Sequence, residues 1–394
     1  MPSTPVCPRT VAATPRTPHR RLTTRSLAAL SALLLGTACG ETRPPSADSA
    51  TGSTSGAAAA TNDTLQAAVV TQTVLNDSDD PAIWIDPAAP EQSLVVGTDK
   101  GDSTGGLYVF RLDGTIDSAR TRRPLMRPNN VDIVDGFVMG RDTISIAVMT
   151  ERGKQALRVY RLPDMTPIDG GGIRVFDGDV TRAPMGVALH RRASDGAVFA
   201  IVGGKAGPID GYLWQYRLVA NAKGIVQGTK VRAFGRYSGK KEIEAIAVDR
   251  TLGFVYYSDE TVGVRQYRAD PDAPGANEEL ALFGTSGFVS DHEGIGIYPT
   301  SDSTGYLLIS DQQGQRLRVF SREGSAGAPY THQLLAIIPV SAKETDGLEV
   351  TATPLGPRFP EGLLVMMSTD RTFHFFDWRD IKARIARRDT VVTR

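Results

Sequence analysis

The chain has 394 residues, with 44 Lys+Arg against 44 Asp+Glu, 40 Gly, 24 Pro and 2 Cys, and is 41% apolar and 22% charged. That composition is globular rather than disordered, and the length admits two or three domains or one large all-β domain. Zero net charge argues against a nucleic-acid binder, which carries a basic excess, and two cysteines exclude a disulfide framework or a Cys-rich zinc module.

The balance is uneven along the chain. Residues 1–38 hold Arg9, Arg16, Arg20, Arg21 and Arg25 and no acid, and an apolar run over 27–35 leads to Gly36, Thr37, Ala38 and Cys39. A basic stretch, a short apolar run and small residues read as an export signal over 1–39. The run is too short to span a bilayer. Small residues before Cys39 resemble a lipobox, although Gly36 stands where an aliphatic residue is usual. Cys39 is then the lipidated N-terminus of a protein held at the outer surface or in the periplasm, with plain secretion as the alternative. Residues 40–66, rich in Ser, Ala and Thr, read as a flexible tether. Removing the signal leaves 39 basic against 44 acidic residues, so the exported part is acidic.

From residue 67 onward, short β-rich runs alternate with Gly, Asp and Asn turns. They fall into six triplets: 82–85, 93–97, 106–112; 131–134, 143–149, 156–162; 185–189, 198–202, 212–218; 245–248, 254–257, 264–267; 294–298, 306–309, 317–320; and 347–350, 362–367, 372–376. A further β-like run follows four of them, at 173–176, 231–234, 280–283 and 334–338. Helical periodicity appears only around 381–385. Four strands at a period of roughly 50 residues predict a single-domain, all-β, six-bladed propeller over 67–394, with four-stranded antiparallel blades. A monomer is expected. A pair of β-sandwiches would not repeat at constant spacing.

The first two strands of a meander blade are antiparallel, so the start of the first lies beside the end of the second. The residues before each first strand are Asp79 and Asp80; Asn129, Asn130 and nearby Asp132; Ala183 and Pro184; Glu242 and Glu244; Asp291, His292 and Glu293; and Asp346. Those after each second strand are Asp99 and Lys100, Glu151 and Arg152, Gly204 and Lys205, Asp259 and Glu260, Asp311 and Gln312, and Asp370 and Arg371. Both sets are expected around one mouth of the channel. Any single Asp or Lys at such a place is more often a turn residue, but their recurrence in blade after blade points to a functional mouth. Clustered carboxylates need cations between them, and an oxygen-rich, His-poor set selects hard metals such as Ca²⁺. Lys100, Arg152 and Lys205 form a cationic arc suited to phosphate oxygens. Together they suggest metal-assisted phosphoryl hydrolysis or the binding of phosphorylated ligands. A Cys-nucleophile phosphatase, an Arg-His-Gly acid phosphatase and a G-x-x-x-x-G-K-[ST] nucleotide loop all lack their residues here.

These residues resemble the β-propeller phytases. The resemblance is carried by Asp79-Asp80-Pro81-Ala82-Ile83-Trp84, Gly97-Thr98-Asp99-Lys100, Asn129-Asn130-Val131-Asp132, Asp291-His292-Glu293-Gly294, Thr345-Asp346-Gly347 and Pro360-Glu361-Gly362-Leu363, in order from about residue 70 to 382. It implies a six-bladed, calcium-dependent enzyme that hydrolyses phosphomonoesters of inositol hexakisphosphate. It places Lys100, Arg152 and Lys205 as phosphate-holding cations, joined here by Arg371 at the mouth. It places Asp79, Asp80, Glu244, Glu260, Asp291, Glu293, Gln312 (or the adjacent Gln313) and Asp346 at several calcium and cleavage-site positions. Lys100, Arg152, Lys205 and Glu244 are then the catalytic set, with water polarised by calcium attacking phosphorus and no covalent phospho-enzyme. Two departures stand out. Met185 precedes Gly186 where the family places Tyr, which removes a hydroxyl donor, and blade four reads Glu242-Ile243-Glu244-Ala245 where the family favours Glu-Gly. A non-catalytic propeller that captures phosphorylated ligands, and a calcium-dependent lactonase or esterase, are the competing functions. Phosphate release separates the first from an enzyme, and an arc of three cations is not needed by the second.

Overall fold

The structure, a computed structural model, describes residues 63–392, with side chains as far as 387. The export signal, Cys39 and the tether up to residue 62 lie outside the described residues. Among the described residues the strands form six antiparallel sheets. The innermost strands are Ser78–Trp84, Pro128–Met139, Pro184–Arg191, Ile246–Asp249, His292–Pro299 and Leu348–Thr351. Each packs against the innermost strand of the next blade, and the sixth packs back on the first, so the ring closes around a channel. This is a six-bladed propeller. Five blades have four strands, and blade two gains a fifth short one, Thr166–Pro167.

Burial explains why the second strands read as continuous apolar runs rather than alternating ones. Every residue of Leu94–Asp99 is buried, because neighbouring blades cover both faces of the sheet. The core therefore lies between blades. Val96, Val109, Val131, Met149 and Tyr160 fill the gap between blades one and two, while Val95, Phe110, Phe373 and Phe375 fill that between six and one. Each such side chain contributes roughly 1.5–3 kcal/mol relative to exposure.

Two outer strands were not among the apolar runs. Blade one ends in Arg122–Leu125, and blade six takes its outer strand from the other end of the chain: Val69 pairs with Phe375 and Val70 with His374. The N-terminal strand thus locks the ring. Engagement begins earlier still, because Leu65, inside the expected tether, is 1% exposed and bridges to Val340. The helical signal is one face of a longer helix, Trp378–Val392. Ile381 and Ile385 are buried on blade five and six side chains, and Trp378 stacks on Tyr298 at 3.4 Å between centroids and 9° between planes.

A repeated backbone bond defines the mouth. The N–H after each second strand donates to the carbonyl that opens the next-door first strand: Lys100 to Asp77 (2.8 Å), Arg152 to Arg127 (3.0 Å), Lys205 to Ala183 (2.8 Å), Glu260 to Glu242 (3.4 Å), Gln312 to Asp291 (3.3 Å) and Thr369 to Lys343 (3.1 Å). This bond corrects the sequence reading in blade six. Thr369, not Arg371, is the counterpart of Lys100, because Leu363–Ser368 ends two residues earlier than the charge pattern implied.

Candidate active site at the propeller mouth

The acids that end the second strands are structural. Asp99 accepts bonds from the backbone N–H groups of Asn76 and Asp77 and from the Asn76 amide. Glu151 accepts from the Met126 N–H and from Arg158, Asp259 from Ser238 and Arg265, and Asp311 from the Val289 N–H, Arg316 and Arg318. Each pins the loop that enters its blade. Their oxygens are used up, so they are not part of the mouth's chemistry.

In blades one, two, four and five the next residue along, and the residue two beyond the acceptor carbonyl, do face the mouth. Lys100 places its ammonium 2.8 Å from Asp79 Oδ1 and 2.7 Å from Asp346 Oδ2. Burial opposes its charge, but the two carboxylates outweigh burial and hold its pKa well above the lysine range. Asn129 donates to Asp79 Oδ2 at 2.9 Å and to Glu244, while Arg152 donates to Asn129 Oδ1 at 3.0 Å. Burial and the nearby Arg127 lower the Arg152 pKa, against the pull of Glu244, Glu242 and Asp79. Lys205 pairs with Glu242 and is half exposed.

The acidic side is different. Glu242, Glu244 and Glu260 can bring one oxygen each within 4.8 Å of one another, and so can Glu260, Asp291 and Glu293. Glu260 is common to both groups. Neither of its oxygens accepts a directed hydrogen bond, although Lys241 Nζ stands 3.1 Å from one of them, and Glu293 Oε2 is also without a donor. Leaving such oxygens unpaired in a buried site is costly. Burial first, then Asp79 and Asp346, push the Glu244 carboxyl well above its usual range; burial, Glu260 and Glu244 do the same to Glu293. Burial raises Glu260 to about 7 and Asp346 to about 6, against the pull of Lys241 and Lys100 respectively. Burial also works to raise Asp291, but bonds from Lys241 and Gln313 win and lower it. Converging oxygens of buried acids with few hydrogen-bond donors fit a hard divalent ion.

Most of the predicted residues therefore meet. Gln312 reaches Asp346, and Gln313 Nε2 reaches Asp291 Oδ2 at 2.7 Å, so the two adjacent amides serve two different acids. Asp80 turns away from the mouth. Its Oδ2 accepts the Val131 N–H at 2.9 Å, and it lines the lower channel with Asp132, Arg250 and Glu349. Arg371 is also outside the cluster: it sits in a left-handed turn (φ 67°) and donates to the Leu75 carbonyl at 3.2 Å. Met185 is 2% exposed, and its neighbour Gly186 is pressed so close to blade four that a Cβ would lie 1.8 Å from the Glu244 carbonyl oxygen. Lys241 was missed, because a lysine in a Gly-Lys-Lys loop reads as a solvated turn; its position one residue before Glu242 was the available signal.

The comparisons with known proteins agree with this geometry. Residues 23–374 match the phytase family. The chain belongs to that family. Membership makes this a phytase-class enzyme. The chain is 27% identical over 324 residues to the 3-phytase of Bacillus subtilis (strain 168), covering 77% of this chain and 80% of that protein. Among solved structures it is similar to Kuenenia stuttgartiensis hydrazine synthase, with TM-score 0.44 and 10% identity over 76% of this chain and 83% of that one, a likeness too loose to bear on chemistry.

Proposed function

We propose that the mouth hydrolyses phosphomonoesters of phytate in a calcium-dependent reaction. The observation that carries this reading is the pair of ligand groups sharing Glu260, whose buried oxygens accept no directed hydrogen bond and have the half-exposed Lys241 ammonium at 3.1 Å. Glu244, Glu260, Asp291 and Glu293 would hold the calcium, and Asp79, Asp346 and Gln312 stand beside them. Bound calcium would supply charge stabilisation at the phosphoryl oxygens and a water of lowered pKa. Family membership and the likeness to a 3-phytase support phytate as substrate.

The chain's own groups divide the remaining work. Arg152, whose guanidinium makes a single bond to Asn129, and Lys205, on an exposed stem, bind and orient the phosphoryl oxygens. Lys100 acts mainly on its own carboxylates: by neutralising Asp79 and Asp346 it fixes the blade-one and blade-six walls of the site. Blade three has the buried Met185 where a hydroxyl donor is expected, so Lys205 carries that side. The ring needs no second chain to close, which supports action as a monomer. The Arg-rich segment, the apolar run and Cys39 support export and lipid anchoring.

The deciding experiment incubates purified protein with calcium phytate and with several sugar phosphates, with and without chelator, alongside Lys205→Ala. Phosphate release in calcium only, weakened in the variant, is the expected result. Undiminished release in chelator would sink the calcium-dependent mechanism, and binding without release would leave a capture protein.

A further inference from the structure

The loop before the first strand of blade four carries a cation that the reaction so far does not use. Lys241 Nζ lies 2.7 Å from Asp291 Oδ2 and 3.1 Å from Glu260 Oε2, touching two of the three acids of one ligand group. The anions are fixed and the cation is not. The side chains of Glu260 and Asp291 are 1% and 6% exposed, whereas that of Lys241 is 43% exposed. Its backbone is held: the Tyr237 hydroxyl donates to the Lys241 carbonyl, Ser238 Oγ donates to Asp259 Oδ1 at 2.7 Å, and Ile243 is fully buried. Only the four-carbon stem is free to turn.

One ammonium faces the oxygens of three acids, Glu260, Asp291 and Glu293, and pairs with two of them. A divalent cation brings twice the charge and orders no flexible stem, so it displaces the ammonium rather than joining it. The released head stays at the mouth. The next residue, Glu242, carries Lys205, so the phosphate-binding side begins one residue away. We propose that Lys241 is an exchangeable counter-ion: it neutralises Glu260 and Asp291 in the metal-free site, and on cation entry it turns to hold a substrate phosphoryl oxygen. The inference rests on the metal reading of the mouth given above. Its consequence is linkage: calcium raises phosphate affinity, phosphate raises calcium affinity by the same factor, and Lys241 is part of the coupling.

Two measurements test it. In the unaltered chain, acetylation of Lys241 followed by mass spectrometry reads the ion pair directly. Labelling is slow in chelator, speeds up in calcium, and slows again when inorganic phosphate is added to the calcium form. Labelling unchanged by calcium would overturn the exchange. Calorimetric calcium titration of Lys241→Met and Lys241→Arg reads the competition. Lys241→Met binds calcium about 5-fold to 150-fold more tightly than the unaltered chain, the span typical of coupled sites, and binds inorganic phosphate more weakly in calcium. Lys241→Arg stays close to the unaltered chain. If the unaltered chain and the variant bind calcium with equal affinity, the exchange falls alone. If neither binds calcium, the metal reading falls with it.

Discussion

Asp259 and Glu260 are neighbours on one strand end, both buried, yet they belong to different regions of the molecule. Asp259 and its counterparts Asp99, Glu151 and Asp311 point into the blades, where backbone N–H groups and arginines satisfy their oxygens. Glu260, Glu244 and Glu293 point into the mouth, where donors are scarce and other acids are close. The difference teaches that burial alone does not make a carboxylate reactive. What separates the two rings is the supply of donors, and a one-residue step along a strand reverses the side chain's direction.

That contrast is open to disruption from either side. The largest effect is expected inside the blades. Asp311→Ala leaves Arg318, which is 4% exposed on its side chain, without its carboxylate, and this should cost about 3–5 kcal/mol in denaturant unfolding. Glu260→Gln should do the opposite. It removes a poorly compensated charge, so the metal-free protein should unfold at no lower temperature, while phytate turnover falls by about 100-fold or more; a large loss of stability would place Glu260 with Asp259 instead.

The protonation states give two further tests. Glu260 and Asp346 have pKa values raised to about 7 and about 6, so the folded, metal-free protein holds protons that the unfolded chain has released. The stability they contribute is full below their unfolded pKa values near 4 and is lost as pH rises through about 7. In chelator, Tm should therefore drop by roughly 5 °C between pH 4.5 and pH 8 on this account, and saturating calcium should remove most of that drop. For the same reason calcium binding near pH 6 should expel protons, seen calorimetrically as a heat that depends on the buffer's ionisation enthalpy. The smallest effect belongs to Arg371→Ala. With its guanidinium on the Leu75 carbonyl at the rim, turnover should change less than about threefold, while Lys205→Ala costs more in turnover and no more than ~1 kcal/mol in stability.

Much of the architecture was legible because blade strands are covered on both faces. Runs such as 94–99 and 363–368 are apolar throughout, and their spacing counts blades. The outer strands were less legible. Arg122–Leu125 lies at an edge where only Leu125 is buried, and Val69–Val70 belongs to a blade about 300 positions away in the chain. The mouth was legible as a set of positions. Its membership was not, since Asp99 and Asp79 look alike in sequence and differ only in which donors reach them.

By itself, the sequence determined the period, the six blades and the family, because these follow from local patterning and motif order. Only the tertiary structure decided which acids are free, and why. Asp80 is taken by the Val131 N–H of the next blade, Arg371 is displaced by a strand ending at Ser368, and Lys241 is brought onto Glu260 and Asp291, the latter from blade five. Each outcome depends on hydrogen bonds and charges contributed by a different blade or turn. No stretch of sequence read alone contains them.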